Sequence, residues 1–222
     1  MSMAEKLTAI AENQQRVYDA GYAKGKAEGG ESGGGDDGYY DTFWDVFQNY
    51  GERVNYAYAF GYNRFSDENY NPKYPILTKS GSTPSRYMFA QSASITDTKV
   101  PIYANGSDVN YAFQGCTGLV TIRELHVNES QTFTSTFAGC NALKNITFVG
   151  VIGKSIGFPN SPLTPESMKN VISCLKDYSG TSDADTQTLT FTSTCWTALE
   201  ADSAAPDGGT WKQYVKNKGW KV

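Results

Sequence analysis

Histidine occurs once in the 222-residue chain, at His126, and the four cysteines at 116, 140, 174 and 195 form no CxxC pair. A Ser-His-Asp triad or a multi-histidine metal centre would have to be built around that one imidazole. It lies in the strand-like run Leu125-His126-Val127, where the expected role is that of an ordinary strand residue. The cysteine spacing excludes a zinc ribbon and a thioredoxin-type motif, so reduced thiols are expected. Lysine and arginine number 19 against 23 acids, for a net charge of −4, and form no cluster. That pattern lacks the electrostatic footprint of a nucleic-acid surface. Walker A, GxGxxG and GxSxG sequences are absent. Paired carboxylates of a glycosidase stay open in principle, because their separation is spatial, but nothing in the sequence selects a pair. No catalytic residue, cofactor or metal ligand is expected. No run approaches 18 apolar residues and the first residues lack the basic and apolar regions of a secretory signal, so the expectation is a soluble product of the cytoplasm without membrane insertion.

What the chain does contain is an interval. Phe113, Gly115, Cys116, Leu119 and Ile122 recur 24 residues later as Phe137, Gly139, Cys140, Leu143 and Ile146. A degenerate third copy precedes them, with Phe89 aligned to Phe113, Ile95 to Leu119, and Ser92 in place of the cysteine. A fixed period of this length with apolar residues at matched offsets is the signature of a leucine-rich-repeat solenoid. One coil cannot bury its own apolar face, so Phe113, Leu119 and Ile122 are expected to stack on Phe137, Leu143 and Ile146. The expected core is therefore Phe89, Ile95, Phe113, Cys116, Leu119, Ile122, Phe137, Cys140, Leu143 and Ile146. Matched offsets also stack Cys116 on Cys140. Buried free cysteine behaves as a small hydrophobe, which makes core filling the expected role and a disulfide the alternative. The 14% aromatic content suits a β-rich body faced with rings.

The remaining segments read as attachments to this core. Over residues 1–27, Met3, Leu7, Ile10, Gln14 and Val17 step by fours and threes, a heptad seam in a run of helix formers. Three heptads are marginal alone, so the helix is expected to associate or dock; a surface helix packed on its own domain is the alternative. Residues 28–38 are a glycine-rich flexible linker. Residues 39–86 are expected to form an aromatic N-terminal cap: Tyr40, Phe43, Trp44, Phe47 and Tyr50 make one helical stripe, 56–60 alternates as a strand, and 61–74 is an aromatic loop serving either recognition or packing. Residues 87–160 hold the coils and 161–222 an α/β C-terminal cap. In that cap Thr164-Pro165-Glu166 starts a helix whose apolar face is Met168, Val171, Ile172 and Leu175, with Gly180 expected to end it. A strand over 187–192, a helical turn or two from Trp196, a short helix from Trp211 stopped by Gly219, and a last strand from Trp220 complete it. The fold class is α+β: a short leucine-rich-repeat-like β-solenoid with helical caps, preceded by a coiled-coil-type helix.

Phe113-Gln-Gly-Cys-Thr-Gly-Leu-Val-Thr-Ile and Phe137-Ala-Gly-Cys-Asn-Ala-Leu-Lys-Asn-Ile resemble the bacterial surface-antigen type of leucine-rich repeat, whose coils read Phe-x-x-Cys-x-x-Leu-x-x-Ile. The wider chain resembles tail- or virion-associated proteins of phages and prophages of gut bacteria. The segments that carry this are Ala4-Glu-Lys-Leu-Thr-Ala-Ile-Ala-Glu-Asn, Phe43-Trp-Asp-Val-Phe-Gln-Asn, Asn71-Pro-Lys-Tyr-Pro-Ile, Leu163-Thr-Pro-Glu-Ser-Met-Lys-Asn and Trp196-Thr-Ala-Leu-Glu-Ala-Asp. The resemblance implies a non-enzymatic virion protein, structural or host-attaching. Its partners would be copies of itself, with a trimer favoured, other virion proteins, and a host surface protein or glycan. A bacterial cell-surface adhesin of the same repeat type is the first alternative and a carbohydrate-active enzyme the second.

Overall fold

The computed structural model describes residues 59–222 apart from Arg64, Asn69, Asn71, Lys73, Tyr74, Lys79, Ser80, Ser82, Thr83 and Pro84. The chain divides into two compact units, Met1–Glu52 with Pro72–Tyr74 and Arg53–Asn71 with Pro75–Val222; every described residue except Pro72 belongs to the second. The seam helix with Met3, Leu7, Ile10, Gln14 and Val17, the linker, and the aromatic helix over 39–50 lie outside the described residues, as does most of the 56–60 strand. The end of that strand is corrected: Ala59 and Phe60 lie in a turn.

The second unit is mixed α and β, with two parallel sheets, neither closed. In the first, β1 (Ile76–Leu77), β2 (Ile102–Tyr103), β3 (Thr121–Val127) and β4 (Asn145–Gly150) lie side by side in chain order. Parallel neighbours need a crossover of a dozen or more residues, and the 24-residue interval supplies one. Ile76, Ile102, Leu125 and Phe148 are in register across all four strands and are 2% exposed or less. Ile122 pairs with Ile146, 24 residues on, whereas Leu125 pairs with Phe148, 23 on; an irregularity between Ile122 and Leu125 gives β3 the extra residue.

Across the core from the sheet runs a ladder of phenylalanine rings. Phe89 stacks on Phe113 at a centroid distance of 5.2 Å and 9°, and Phe113 on Phe137 at 5.8 Å and 7°. The ladder extends to Phe60 at 4.8 Å before Phe89, and to Phe158 at 4.6 Å and Phe191 at a further 5.7 Å after Phe137. Flanking the rings, the main chain of one interval donates to the next: Tyr111, Phe113 and Gly115 N–H reach Thr134, Thr136 and Ala138 O at 3.0, 3.1 and 2.8 Å. This geometry uses a left-handed residue on each side of the ring, at Tyr87 and Gln91, Tyr111 and Gly115, and Ser135 and Gly139. Glycine adopts that region freely, whereas a tyrosine there costs about 1–2 kcal/mol. The Tyr87 and Tyr111 rings stack at 4.7 Å, which offsets part of that cost. Gly118 answers a different need, because a Cβ there would stand 2.0 Å from Ala93 O.

All ten expected core residues are 2% exposed or less. The cysteines are free thiols. Cys116 Sγ donates to Phe89 O at 3.0 Å and Cys140 Sγ to Phe113 O at 3.1 Å, while Ser92 makes the same contact with Phe60 O. The small polar atom at this offset thus caps the carbonyl of the preceding ring residue, and no disulfide forms between Cys116 and Cys140. In the 61–74 loop, Phe65 and Tyr70 are buried against Phe60, whereas Tyr62 is 57% exposed.

Helix α1 (Pro165–Cys174) begins as its sequence requires: the Thr164 hydroxyl accepts from Ser167 N–H, and Pro165 needs no acceptor in the first turn. It ends at Cys174 with an extended Leu175 whose N–H reaches Ile172 O, not at Gly180. The reason is a strand-like pairing: Ile152 N–H donates to Cys174 O and Lys176 N–H to Ile152 O, which pulls the chain out of the helix six residues early. Side chains of α1 also finish the first sheet. Ile146 N–H donates to Ser167 Oγ at 3.0 Å, while Asn170 accepts from Phe148 N–H at 2.7 Å and donates to Phe148 O at 3.2 Å, standing in for the peptide groups of a fifth strand.

The second sheet orders β5 (Ile156–Gly157), β6 (Gln187–Thr190) and β7 (Trp220–Lys221), with α2 (Ser193–Asp202) and α3 (Trp211–Asn217) in the connection from β6 to β7. Thr192 and Thr210 cap these helices through their hydroxyls. Trp196, Trp211 and Trp220 are buried, and the last two donate their indole N–H to Ser203 O and Lys176 O, both at 2.8 Å.

Candidate functional site

Period-two alternation sends every second residue of the first sheet away from the core. Next to the inward row Ile76, Ile102, Leu125, Phe148 lies an outward row in the same register: Leu77, Tyr103, His126 and Val149. Leu77, Tyr103 and His126 are half-buried and Val149 is 39% exposed, with Val151, 42% exposed, just beyond β4. The Tyr103 and His126 rings stack at 3.9 Å and 17°, and His126 Nε2 lies 2.9 Å from Glu124 Oε2. A carboxylate thus holds the imidazole while its face is occupied by the phenol. The row offers a stacked polar-aromatic pair between aliphatic neighbours.

Burial pushes the Cys116 thiol up to about 12 and raises that of Cys140 too, with Cys116 beside it adding to the effect. Such thiols are inert at neutral pH. Lys218 is the notable cation: burial lowers its pKa, and its ammonium donates to Ile172 O at 3.2 Å near the C-terminal end of α1. No group of three or more His, Cys, Asp or Glu suited to a metal ion occurs among the described residues, and none of their helices is long and apolar enough to cross a membrane.

The described residues also enclose an open cleft of about 420 Å³. Thr132, Phe133 and Thr134 form one wall, Lys154 to Gly157 the other, and Gln187, Thr188 and Thr190 of β6 the floor. Neither the outward row nor this cleft was singled out by sequence reasoning. For the row a signal existed: Tyr103 to His126 and His126 to Val149 are each 23 residues, one short of the spacing of the stacked rings Phe89, Phe113 and Phe137.

No family model matches the chain, and neither a curated protein nor a solved structure matches it.

Proposed function

We propose that this chain is a non-enzymatic phage or prophage virion protein, a tail or fibre component of structural or host-attaching type, and that its repeated intervals are coils of a short leucine-rich-repeat solenoid. One observation carries the reading most directly. Strands follow one another in chain order, the rings of Phe89, Phe113 and Phe137 stack at the 24-residue interval of the Phe-x-x-Cys-x-x-Leu-x-x-Ile pattern, and main-chain hydrogen bonds join the intervals that hold Phe89, Phe113 and Phe137, with Ile122 paired to Ile146 at 24 residues and Leu125 to Phe148 at 23. A stack of this kind spends its residues on presenting a surface, and the outward row across the first sheet is that surface. The attachment half rests on the resemblance of the segments from Ala4, Phe43, Asn71, Leu163 and Trp196 to virion-associated proteins, together with the heptad seam Met3, Leu7, Ile10, Gln14, Val17. In this reading the seam joins copies of the chain, as a trimer, or binds another particle protein, and the outward row meets a host surface protein or glycan.

Immunogold labelling of purified particles and of the cells that produce them tests the proposal. Gold on the particles is the expected result. Gold confined to the cell envelope would replace this reading with the adhesin, and sustained sugar release from cell-wall glycan that an acidic substitution abolishes would replace it with an enzyme.

A further inference from the structure

The hydrogen-bonded ladder beside the phenylalanine rings is continuous except at one step. Tyr87, Phe89 and Gln91 N–H reach Asn110, Ala112 and Gln114 O at 3.3, 2.7 and 2.7 Å, and Tyr111, Phe113 and Gly115 repeat the pattern one interval on. The equivalent donors of the next interval are Ser135, Phe137 and Gly139. Neither Ser135 nor Phe137 N–H has an acceptor among the described residues, and Gly139 N–H has only Asn160 Oδ1 at 3.4 Å. Phe133 N–H is in the same position: Val109, its counterpart, donates to Thr132 O at 3.0 Å, but the matching carbonyl, Gly153 O, is held by the Tyr178 hydroxyl at 2.6 Å. The ladder resumes at Phe158, whose N–H reaches Thr190 O at 2.8 Å.

A second observation marks the same step. Ser161 follows Phe158 as Cys140 follows Phe137 and Ser92 follows Phe89, and those two cap the preceding ring residue's carbonyl. Ser161 Oγ is fully buried and has no partner. Buried polar groups left unpaired in this way are few in folded proteins.

The acceptors that the ladder would use are on the opposite wall. β5 pairs with β6 at Ile156–Leu189 and Gly157–Thr190, and Phe158 N–H reaches Thr190 O, so strand alternation turns the N–H and C=O of Gly157 away from β6. Between these two edges lies the 420 Å³ cleft, with Ser155 N–H held by Gln187 Oε1 at 2.8 Å and Thr134 N–H by Asn110 Oδ1 at 2.7 Å. Five of its ten lining residues carry hydroxyls, with one exposed cation, Lys154, and no carboxylate. No exposed aromatic side chain lines it to stack a sugar ring, and one lysine does not track a phosphate backbone.

We propose that this cleft is a docking slot for one extended peptide segment of a partner protein, bearing an acidic side chain. Its carbonyls take the N–H groups of Phe133 and Ser135, its amides give to Ser155 and Gly157 O, and its carboxylate meets Lys154. The inference rests on main-chain hydrogen bonding and the charge of Lys154 and stands whether or not the chain belongs to a virion.

Amide hydrogen exchange on the full chain tests it. The probe is a pool of blocked hexapeptides alternating threonine and valine, with one aspartate scanned through the positions. At about 1 mM peptide, a tenfold or greater slowing at Phe133 and Ser135 is expected. The same pool N-methylated at alternate residues should give none, and Lys154→Glu should weaken the effect about fivefold or more. Thr190→Trp, which fills the exposed floor, should abolish it, with unchanged exchange in β3 and β4 showing that the fold is intact. Unaltered exchange at Phe133 and Ser135 with every peptide overturns the proposal, as does equal binding of the N-methylated pool.

Discussion

Replacing Phe137 with alanine tests whether the ring ladder is the core of this unit. The ring is 0% exposed, stacks on Phe113 at 5.8 Å and on Phe158 at 4.6 Å, and meets Phe148 edge-on at 6.2 Å. A buried aromatic side chain removes 150–250 Å² from water, which at about 25 cal/mol per Å² is roughly 4–6 kcal/mol. Alanine keeps a small part of that burial, and the Phe113 ring cannot collapse onto the gap without straining the main-chain bond from Phe113 N–H to Thr136 O. The expected loss is therefore about 3–5 kcal/mol, in line with large-to-small aromatic substitutions elsewhere. Against a total of about 5–15 kcal/mol for a domain, that lowers the melting temperature by roughly 6–20 °C. Urea titration and a thermal melt, followed by near-ultraviolet circular dichroism, read both quantities. Leu143→Ala, at another 0% exposed position, should fall by about 2–5 kcal/mol. Val149→Ala, on the outward row, should cost less than about 1 kcal/mol. A Phe137→Ala loss no larger than that of Val149→Ala would refute the reasoning, because it would mean that the rings are not packed as a continuous stack.

Cys140→Ser should cost less than Cys140→Ala, since a serine hydroxyl can cap Phe113 O as Ser92 caps Phe60 O; equal denaturation midpoints would show that the cap is without weight. Because burial raises the Cys116 thiol pKa, the unfolded chain loses that proton first as pH climbs, so stability should fall above about pH 8.5 and the fall should be shallower in Cys116→Ala, measured by urea titration at pH 7 and 10. Asn170→Ala leaves Phe148 N–H without its acceptor and Phe148 C=O with only the Cys174 thiol at 3.5 Å, at the edge of the first sheet, an expected cost of about 1–3 kcal/mol, with faster amide exchange at Phe148 as the specific readout. Light scattering should find the full chain oligomeric and a chain starting at Tyr39 monomeric; a full chain that is monomeric at about 10 µM removes self-association through the seam.

How the core was legible, and what was not, follows from the range of the forces involved. Residues 113–122 and 137–146 share one pattern because each position packs on its own copy, so identical environments select identical side chains and the stack can be read from spacing alone. Thr164-Pro165 was legible for a local reason: an N-cap hydroxyl and a proline in the first turn act within four residues. Where a distant partner decides, the spacing is silent. Phe158 and Phe191 join the ladder at other intervals, because a ring needs only a neighbouring ring and not a fixed length of connecting chain. Helix α1 ends where Ile152 captures Cys174 O and not at the glycine that local propensity favours. The outward row depends on two register shifts, an extra residue in β3 against β4 and one between Asp97 and Ile102 against β3, which bring Tyr103, His126 and Val149 onto one line only after the strands have paired. The cleft between residues 132–134 and 154–157 is more remote still from the sequence, since it consists of hydrogen bonds that two neighbouring segments do not make, and unpaired main-chain groups carry no side-chain signature.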